Sequence, residues 1–394
     1  MLKINIMRNF NFYQPTRIAF GWGRLNEIGK TVSRNGTRCL LVTVKPFPSL
    51  QPLFDKVKKL CAEAGVKIFH FDGVIPSPTT ENVNKGSEIA KKNNVDVILG
   101  VGGGSSIDTA KAISVGATHE GKAWDYRLGQ KRIENEKLLP IIAVPTTAGT
   151  GSEVTTMSVI KDPILKFKSA LADWNLCPRV SIIDPELTLT LPPHITASTG
   201  FDTFCHAFES YNHKNASNFI DILCLDAMKK VIANLPIAVK DGSNREAREA
   251  LSWASTLGGI CITNAGTTLP HGIAMAIGGH TSNIMHGEAL AMLYPEITRW
   301  TWKNAILKYS IIARLFNPEL NNKSDDIAAE QLSDEIERFL KEIEMRINLK
   351  DRNVPESELN AIGEDSMKLR NYTVHPKIAS LEEINDLIKK SYMR

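Results

Sequence analysis

Asp202 and His206 stand four residues apart in Gly200-Phe201-Asp202-Thr203-Phe204-Cys205-His206-Ala207-Phe208-Glu209. On a helix that spacing puts both side chains on one face, about one turn apart. Two more imidazoles lie in Leu269-Pro270-His271-Gly272 and Met285-His286-Gly287-Glu288, with Gly278-Gly279 between them. Each stands at the edge of an apolar helical stretch. Together Asp202, His206, His271 and His286 offer one carboxylate and three imidazoles to a divalent metal. Three nitrogens and one oxygen without a thiolate suit Fe2+, Zn2+ or a similar first-row ion, and ligand type alone does not choose between them. The plainer reading of an Asp/His pair at i,i+4 is a surface ion pair. Cys205 adjoins His206 but points about 100° away on a helix, which reads as packing.

A second kind of chemistry is written earlier in the chain. Gly102-Gly103-Gly104-Ser105-Ser106 lies between an apolar strand pattern, Val95–Val101, and a helical one beginning Ile107-Asp108-Thr109. Glycines let a backbone approach a ligand closely, and a helix start offers unpaired N–H groups with partial positive charge. A pyrophosphate fits such a turn; the alternative is a plain strand-to-helix connection. Asp108 and Lys111 read as structural, since an acid in the first turn complements the helix dipole. Pro145-Thr146-Thr147-Ala148-Gly149-Thr150-Gly151-Ser152-Glu153-Val154-Thr155 follows another apolar run and is dense in small hydroxyls. Neither segment is a P-loop or a G-x-G-x-x-G fingerprint. A polar loop capping a helix is the bland reading of the second.

These residues need a scaffold, and the two halves of the chain are patterned differently. In the first, Thr37–Val44, Lys67–Phe71, Val95–Val101, Leu139–Val144 and Val180–Ile183 read as buried strands, with a helix over Glu81–Asn94 capped by Thr79 or Thr80. Strand and helix alternating at such intervals predict a parallel sheet with helices on both faces. In the second, Ala197–Tyr211, Ile220–Ala233, Asn244–Thr263, Glu288–Leu315 and Ser333–Leu349 show helical spacing. Asn321–Glu344 reads as a charge-rich loop entering a solvated helix. The expected architecture is an α/β domain over residues 1–191 and an all-α domain over 192–394, with the boundary at Leu191-Pro192-Pro193.

Composition narrows the class. At 394 residues the chain suits two domains, and 43% hydrophobic with 23% charged residues is globular, not fibrous or disordered. A formal charge of +4 is too slight to imply a nucleic-acid partner. No apolar run reaches the roughly 18 residues of a membrane span. The N-terminus lacks a signal peptide's apolar core and cleavage site, and six scattered cysteines form no C-x-x-C pair. A cytoplasmic protein without membrane or nucleic-acid partners is expected.

Taken together, these segments resemble the iron-containing (group III) alcohol dehydrogenase family. The likeness rests on Pro15-Thr16-Arg17-Ile18-Ala19-Phe20-Gly21, Pro76-Ser77-Pro78-Thr79, the glycine turn through Asp108, the threonine loop, Asp184-Pro185-Glu186-Leu187-Thr188, Gly200–Tyr211 and His271–Gly287, in the family's order. By that resemblance Asp202, His206, His271 and His286 are metal ligands, with Fe2+ the implied ion and Zn2+ the alternative. It also implies a Rossmann-like, dinucleotide-binding first domain with the active site in the cleft between the two domains. NAD or NADP is the implied cofactor, with Gly103, Gly104 and Ser105 at the pyrophosphate and Ser77, Thr146, Thr147 and Thr155 lining the groove. Lys168 falls near the nicotinamide ribose, and Leu187 is an apolar wall. The implied activity is hydride transfer between NAD(P) and a small alcohol/aldehyde pair by a homo-oligomer. The alternatives are a polyol, hydroxy-acid or sugar dehydrogenase of the same fold and a lyase of the dehydroquinate synthase type.

Three departures from the family pattern stand out. Thr43 is followed by Val44 and Lys45, where many members place an acid that repels a 2′-phosphate. Met275 occupies the position of a second histidine often linked to proton relay. The interval from His271 to His286 is one residue longer than the family's, and His280 lies within it as a candidate to reach the cleft.

Overall fold

The computed structural model describes residues 9–134 and 137–394. The first eight residues of the N-terminal leader reading lie outside that range.

In the N-terminal half, β1 (Arg17–Phe20) and α1 (Ile28–Ser33) precede β2 (Arg38–Val44), α2 (Gln51–Glu63), β3 (Lys67–Val74), α3 (Thr80–Lys92), β4 (Val97–Gly102), α4 (Gly104–Thr118) and β5 (Ile141–Pro145). A hairpin of β6 (Met157–Asp162) and β7 (Phe167–Ala172) follows, then β8 (Val180–Ile183). Six strands form one parallel sheet in the order β1-β8-β5-β4-β2-β3, and the hairpin stands apart as a two-stranded antiparallel sheet. The apolar runs are continuous because both faces are covered. On β2, Leu40 and Val42 enter one core cluster while Cys39 and Leu41 enter another.

The chain runs from β2 outward to β3, then crosses back so that β4 lies on the other side of β2. That reversal opens a crevice beyond the carboxyl ends of β2 and β4, the usual ligand position in such sheets. Val44 closes β2 and Gly102 closes β4 at that crevice.

The C-terminal half is helical: α5 (Pro193–Asn212), α6 (Asn218–Lys240), α7 (Arg245–Asn264), α8 (Leu269–His280), α9 (His286–Thr301), α10 (Ile306–Phe316), α11 (Asp325–Glu342), α12 (Leu359–Leu369) and α13 (Leu381–Met393). α5 is its axis, packed against α6, α7 and α9. From Thr196 onward every residue of α5 but the half-buried Thr199 is buried, which its scattered Phe, Ala, Thr and Ser allow.

Several expectations are corrected. The helix read as Glu288–Leu315 is two, α9 and α10, separated by a 3-10 turn at Trp302–Asn304, because Ala305 adopts φ −140°, outside the helical region. The helix read as Ser333–Leu349 begins instead at Asp325, where the Ser324 hydroxyl accepts from the Ile327 N–H, so most of the supposed charged loop is helical. It ends earlier, at Glu342, where Glu344 takes the left-handed φ of 59° and Met345 N–H returns to the Leu340 carbonyl. The β6–β7 hairpin went unread because Lys161, Lys166 and Lys168 break its apolar alternation.

Candidate active site

Asp202, His206 and Glu209 share one face of α5, at i, i+4 and i+7. His271 sits in the first turn of α8, behind Pro270, and His286 is the first residue of α9. Two helix N-termini thus deliver imidazoles against the middle of a third helix. Asp202 Oδ1 lies 3.6 Å from His206 Nε2, 3.6 Å from His271 Nε2 and 3.9 Å from His286 Nε2. Candidate donor atoms of Asp202, His271 and His286 all fall within 4.8 Å of one another. The His206 ring stacks on that of His271, with centroids 4.8 Å apart.

These separations are too long for hydrogen bonds. Two ligand atoms each about 2.1 Å from a tetrahedral ion stand about 3.4 Å apart, which the observed spacing approaches. Asp202 Oδ1 and His271 Nε2 are buried without a hydrogen-bond partner, a costly state that a shared cation relieves. The residues therefore fit a divalent ion. The i,i+4 pair is a buried one, not the surface ion pair its spacing alone allowed.

Electrostatics set the charge of each group. Burial works to raise the Asp202 carboxyl, but the imidazoles of His206, His271 and His286 hold it below the usual carboxylate range. Burial pushes His286 down to about 3 and lowers His206 as well, so both carry lone pairs at neutral pH. His271 is opposed by burial yet raised to about 9, because Glu209 and Asp202 flank its two nitrogens. Glu209 is the site residue the sequence reading missed; its signal was the third place on the Asp202/His206 face.

The nucleotide segments converge beside this cluster. Gly102 takes φ +147°, where a side chain would also strike Ser106 Oγ at 2.3 Å. Gly103 caps α4, and a methyl there would meet Thr147 at 3.2 Å; at Gly104 it would meet Thr150 at 2.5 Å. The glycine turn and the threonine loop are therefore in direct contact, with Ser105 half-buried at the start of α4 and Thr146 N–H bonded to the Gly102 carbonyl. Thr203 Oγ1, one residue beyond Asp202, donates to the Gly149 carbonyl at 3.1 Å, tying that loop to α5.

Lys168 on β7 donates to Ser77 Oγ at 3.4 Å, and burial pushes its ammonium down to about 8 against the pull of Asp108. Leu187 lies half-buried in the 3-10 turn after β8, against the sheet core. Thr155 is buried beneath the loop, its hydroxyl 3.0 Å from Lys111 Nζ. Asp108 and Lys111 are structural through specific bonds: Asp108 accepts from Ser152 Oγ and Val159 N–H, and Lys111 donates to the carbonyls of Thr155 and Met157.

His280 is not in a loop. It ends α8, with Nδ1 on Glu358 and Nε2 2.9 Å from Asp365, so both nitrogens are taken by the 3-10 turn Glu356–Glu358 and by α12 and not by the Asp202 cluster. Met275 is half-buried one turn beyond His271, on the face that continues to Gly278. A methyl on Gly278 would meet Lys168 Nζ at 3.3 Å, so that face looks toward the hairpin lysine.

The family model for iron-containing alcohol dehydrogenases matches residues 15–185, and its C-terminal counterpart matches 196–392. The NAD-dependent methanol dehydrogenase of Bacillus methanolicus is 31% identical, over 97% of this chain and 99% of that protein. The 1,3-propanediol dehydrogenase of Citrobacter freundii is 34% identical, over 98% of each. An archaeal halo-thermophilic Red Sea brine pool alcohol dehydrogenase has a solved structure with TM-score 0.93 and 31% identity, over 98% of this chain and 100% of that one. With its sheet, its helical half and both family models in place, the chain belongs to the iron-containing alcohol dehydrogenase family and is a metal-dependent alcohol oxidoreductase.

Proposed function

We propose that Asp202, His206, His271 and His286 hold one divalent cation, Fe2+ before Zn2+, beside an NAD(P) groove, and that the enzyme moves a hydride between that dinucleotide and a small alcohol or aldehyde. The observation that carries this reading is the pair of orphaned buried atoms, Asp202 Oδ1 and His271 Nε2, facing each other at 3.6 Å. When bound, such an ion supplies Lewis acidity, easing loss of a hydroxyl proton and polarising a carbonyl.

The chain's own residues do the rest. Gly103 and Gly104 admit the pyrophosphate to the N–H groups that open α4, and Ser105 and Thr147 add hydroxyl donors. Ser77, Thr146 and Leu187 complete the groove walls, with Thr155 supporting the loop from below. Lys168 donates to the ribose side of the cofactor. Met275 brings a thioether where an imidazole would titrate, so no proton passes there and the substrate pocket is more apolar. The domain boundary falls at Leu191–Pro192, between β8 and α5. The six free, buried cysteines suit the cytoplasm, and a homo-oligomer is the working assembly. Among the described residues no helix is long and apolar enough to cross a membrane.

The test is NADH consumption with short aldehydes by protein loaded with Fe2+ or Zn2+ under argon. Turnover is expected with metal and is expected to vanish on chelation; a fully loaded protein inert across an alcohol and aldehyde panel refutes the reading. Cofactor choice is checked by the same assay. Val44 is half-buried and Lys45 exposed at the end of β2, so nothing acidic there repels a 2′-phosphate. NADPH should be usable, with kcat/KM within about a thousandfold of NADH, roughly 4 kcal/mol. Val44→Asp should push the ratio toward NADH.

A further inference from the structure

Glu209 is a fully buried carboxylate, and such a group is tolerated only when its lone pairs are filled. Oε1 accepts from His271 Nδ1 at 2.6 Å and from the Tyr294 hydroxyl at 3.1 Å. Oε2 accepts from the Thr268 N–H at 2.6 Å and from the Thr268 hydroxyl at 3.2 Å. Beyond Thr268 the chain of bonds continues inward. His375 Nδ1 is 3.0 Å from Thr268 Oγ1, and His375 Nε2 is 2.9 Å from Thr301 Oγ1.

A hydroxyl carries one proton, and this fixes the direction of every link. Thr268 gives its proton to Glu209, so it must accept from His375 Nδ1–H. His375 then has only Nε2 left as an acceptor, and Thr301 donates to it. Burial pushes His375 down to about 3, which keeps that ring neutral, as this order requires. At the other end, Glu209 accepts and does not donate, so His271 carries its proton on Nδ1. With Nδ1–H committed to Glu209, Nε2, the atom that faces Asp202 at 3.6 Å, is the nitrogen from which a cation displaces a proton and on which it finds the lone pair. Among the described residues, neither His206 nor His286 has a carboxylate other than Asp202 against its ring.

We propose that Glu209 is the positioning residue of the metal centre: it binds the Nδ1 proton of His271, commits Nε2 to the cation, and is itself held by the Thr268–His375–Thr301 chain. The proposal rests on the four-ligand reading above. A carboxylate behind a ligating imidazole fixes ring orientation and raises ligand basicity, and its loss costs about 10- to 100-fold in metal affinity.

Metal-stripped protein titrated with Co2+ against a chromophoric chelator tests this, with NADH binding and a melting curve measured alongside. Wild type should bind one equivalent and His271→Ala should lose it; if either fails, the four-ligand reading falls. Given both, Glu209→Gln should bind Co2+ about 10- to 100-fold more weakly and shift its visible absorption, with NADH affinity unchanged. The amide still accepts from His271 with one oxygen but turns N–H donors toward the Thr268 N–H. Thr268→Val, which removes only the hydroxyl link, should weaken Co2+ severalfold and decides the matter if Glu209→Gln does not fold. Wild-type Co2+ affinity and spectrum in the variant that folds, even with a lowered melting point, overturn the proposal and leave the four ligands standing.

Discussion

Replacing His206 by alanine is expected to strip the bound metal and abolish turnover while dinucleotide binding and most of the stability survive. The proposed ligands belong to α5, α8 and α9, whereas the proposed nucleotide segments belong to the β4–α4 turn and the loop after β5. The loop after β5 is tied to α5 by the Thr203–Gly149 bond and by the packing of Gly149 on Thr199, and His206→Ala leaves both in place. His271→Ala should also lose metal and turnover, but at a larger cost in stability. It removes the imidazole on Glu209 Oε1 and leaves a buried carboxylate without its ion-pair partner, a change worth about 3–5 kcal/mol. His206→Ala takes one imidazole from Asp202 but leaves it those of His271 and His286. The expected pattern is therefore two inactive, metal-free proteins, both binding NADH, with the His271 variant melting well below the His206 one. Elemental analysis, NADH fluorescence titration and melting curves check it. Full metal content and near-normal kcat in either variant would sink the ligand assignment.

The four candidate metal-binding residues were legible because each is announced locally. Asp202 and His206 declare a helix face by spacing, Pro270 marks the helix start at His271, and His286 stands at the edge of an apolar helical stretch. The β2, β4, β5 and β8 strands were legible for a related reason: burial on both faces makes each an unbroken apolar run. What stayed hidden depends on contacts between distant residues. Glu209 looks like any helical acid until Thr268, His271 and Tyr294 are folded around it. His280 looks like a cleft residue until α12 brings Glu358 and Asp365 to both its nitrogens. Lys161 and Lys168 disguise the β6–β7 hairpin because lysine usually marks a solvated face, yet both are buried here. Local pattern announces positions; only packing assigns partners.

Gly287→Ala should be the most damaging single methyl in the molecule near the site. Gly287 is the second residue of α9, next to His286, and α9 begins pressed against α5. A methyl at 287 would lie 1.9 Å from the Ser198 carbonyl oxygen and 2.8 Å from Ser198 Oγ. The first is backbone, which cannot swing aside as a side-chain tip can. A close carbon–oxygen contact is about 3.3 Å, so the helices must part by roughly 1.4 Å. Ser198 lies one turn before Asp202 on α5, so the same movement draws His286 away from Asp202. Ligand distances tolerate only about 0.2 Å, and a misplacement of about 1 Å can cost on the order of a hundredfold in rate. Overpacking adds about 1–3 kcal/mol of lost stability. The expected result is a folded protein with a lower melting point, weakened metal binding and kcat reduced about a hundredfold, with NADH binding little changed. Gly258→Ala is the control: its methyl would meet His206 Cβ at 3.4 Å, an ordinary contact, within the regular helix α7. It should keep its metal and most of its activity. Gly287→Ala with full metal, kcat within twofold and an unchanged melting point would show that α9 does not set the position of His286 through its contact with α5.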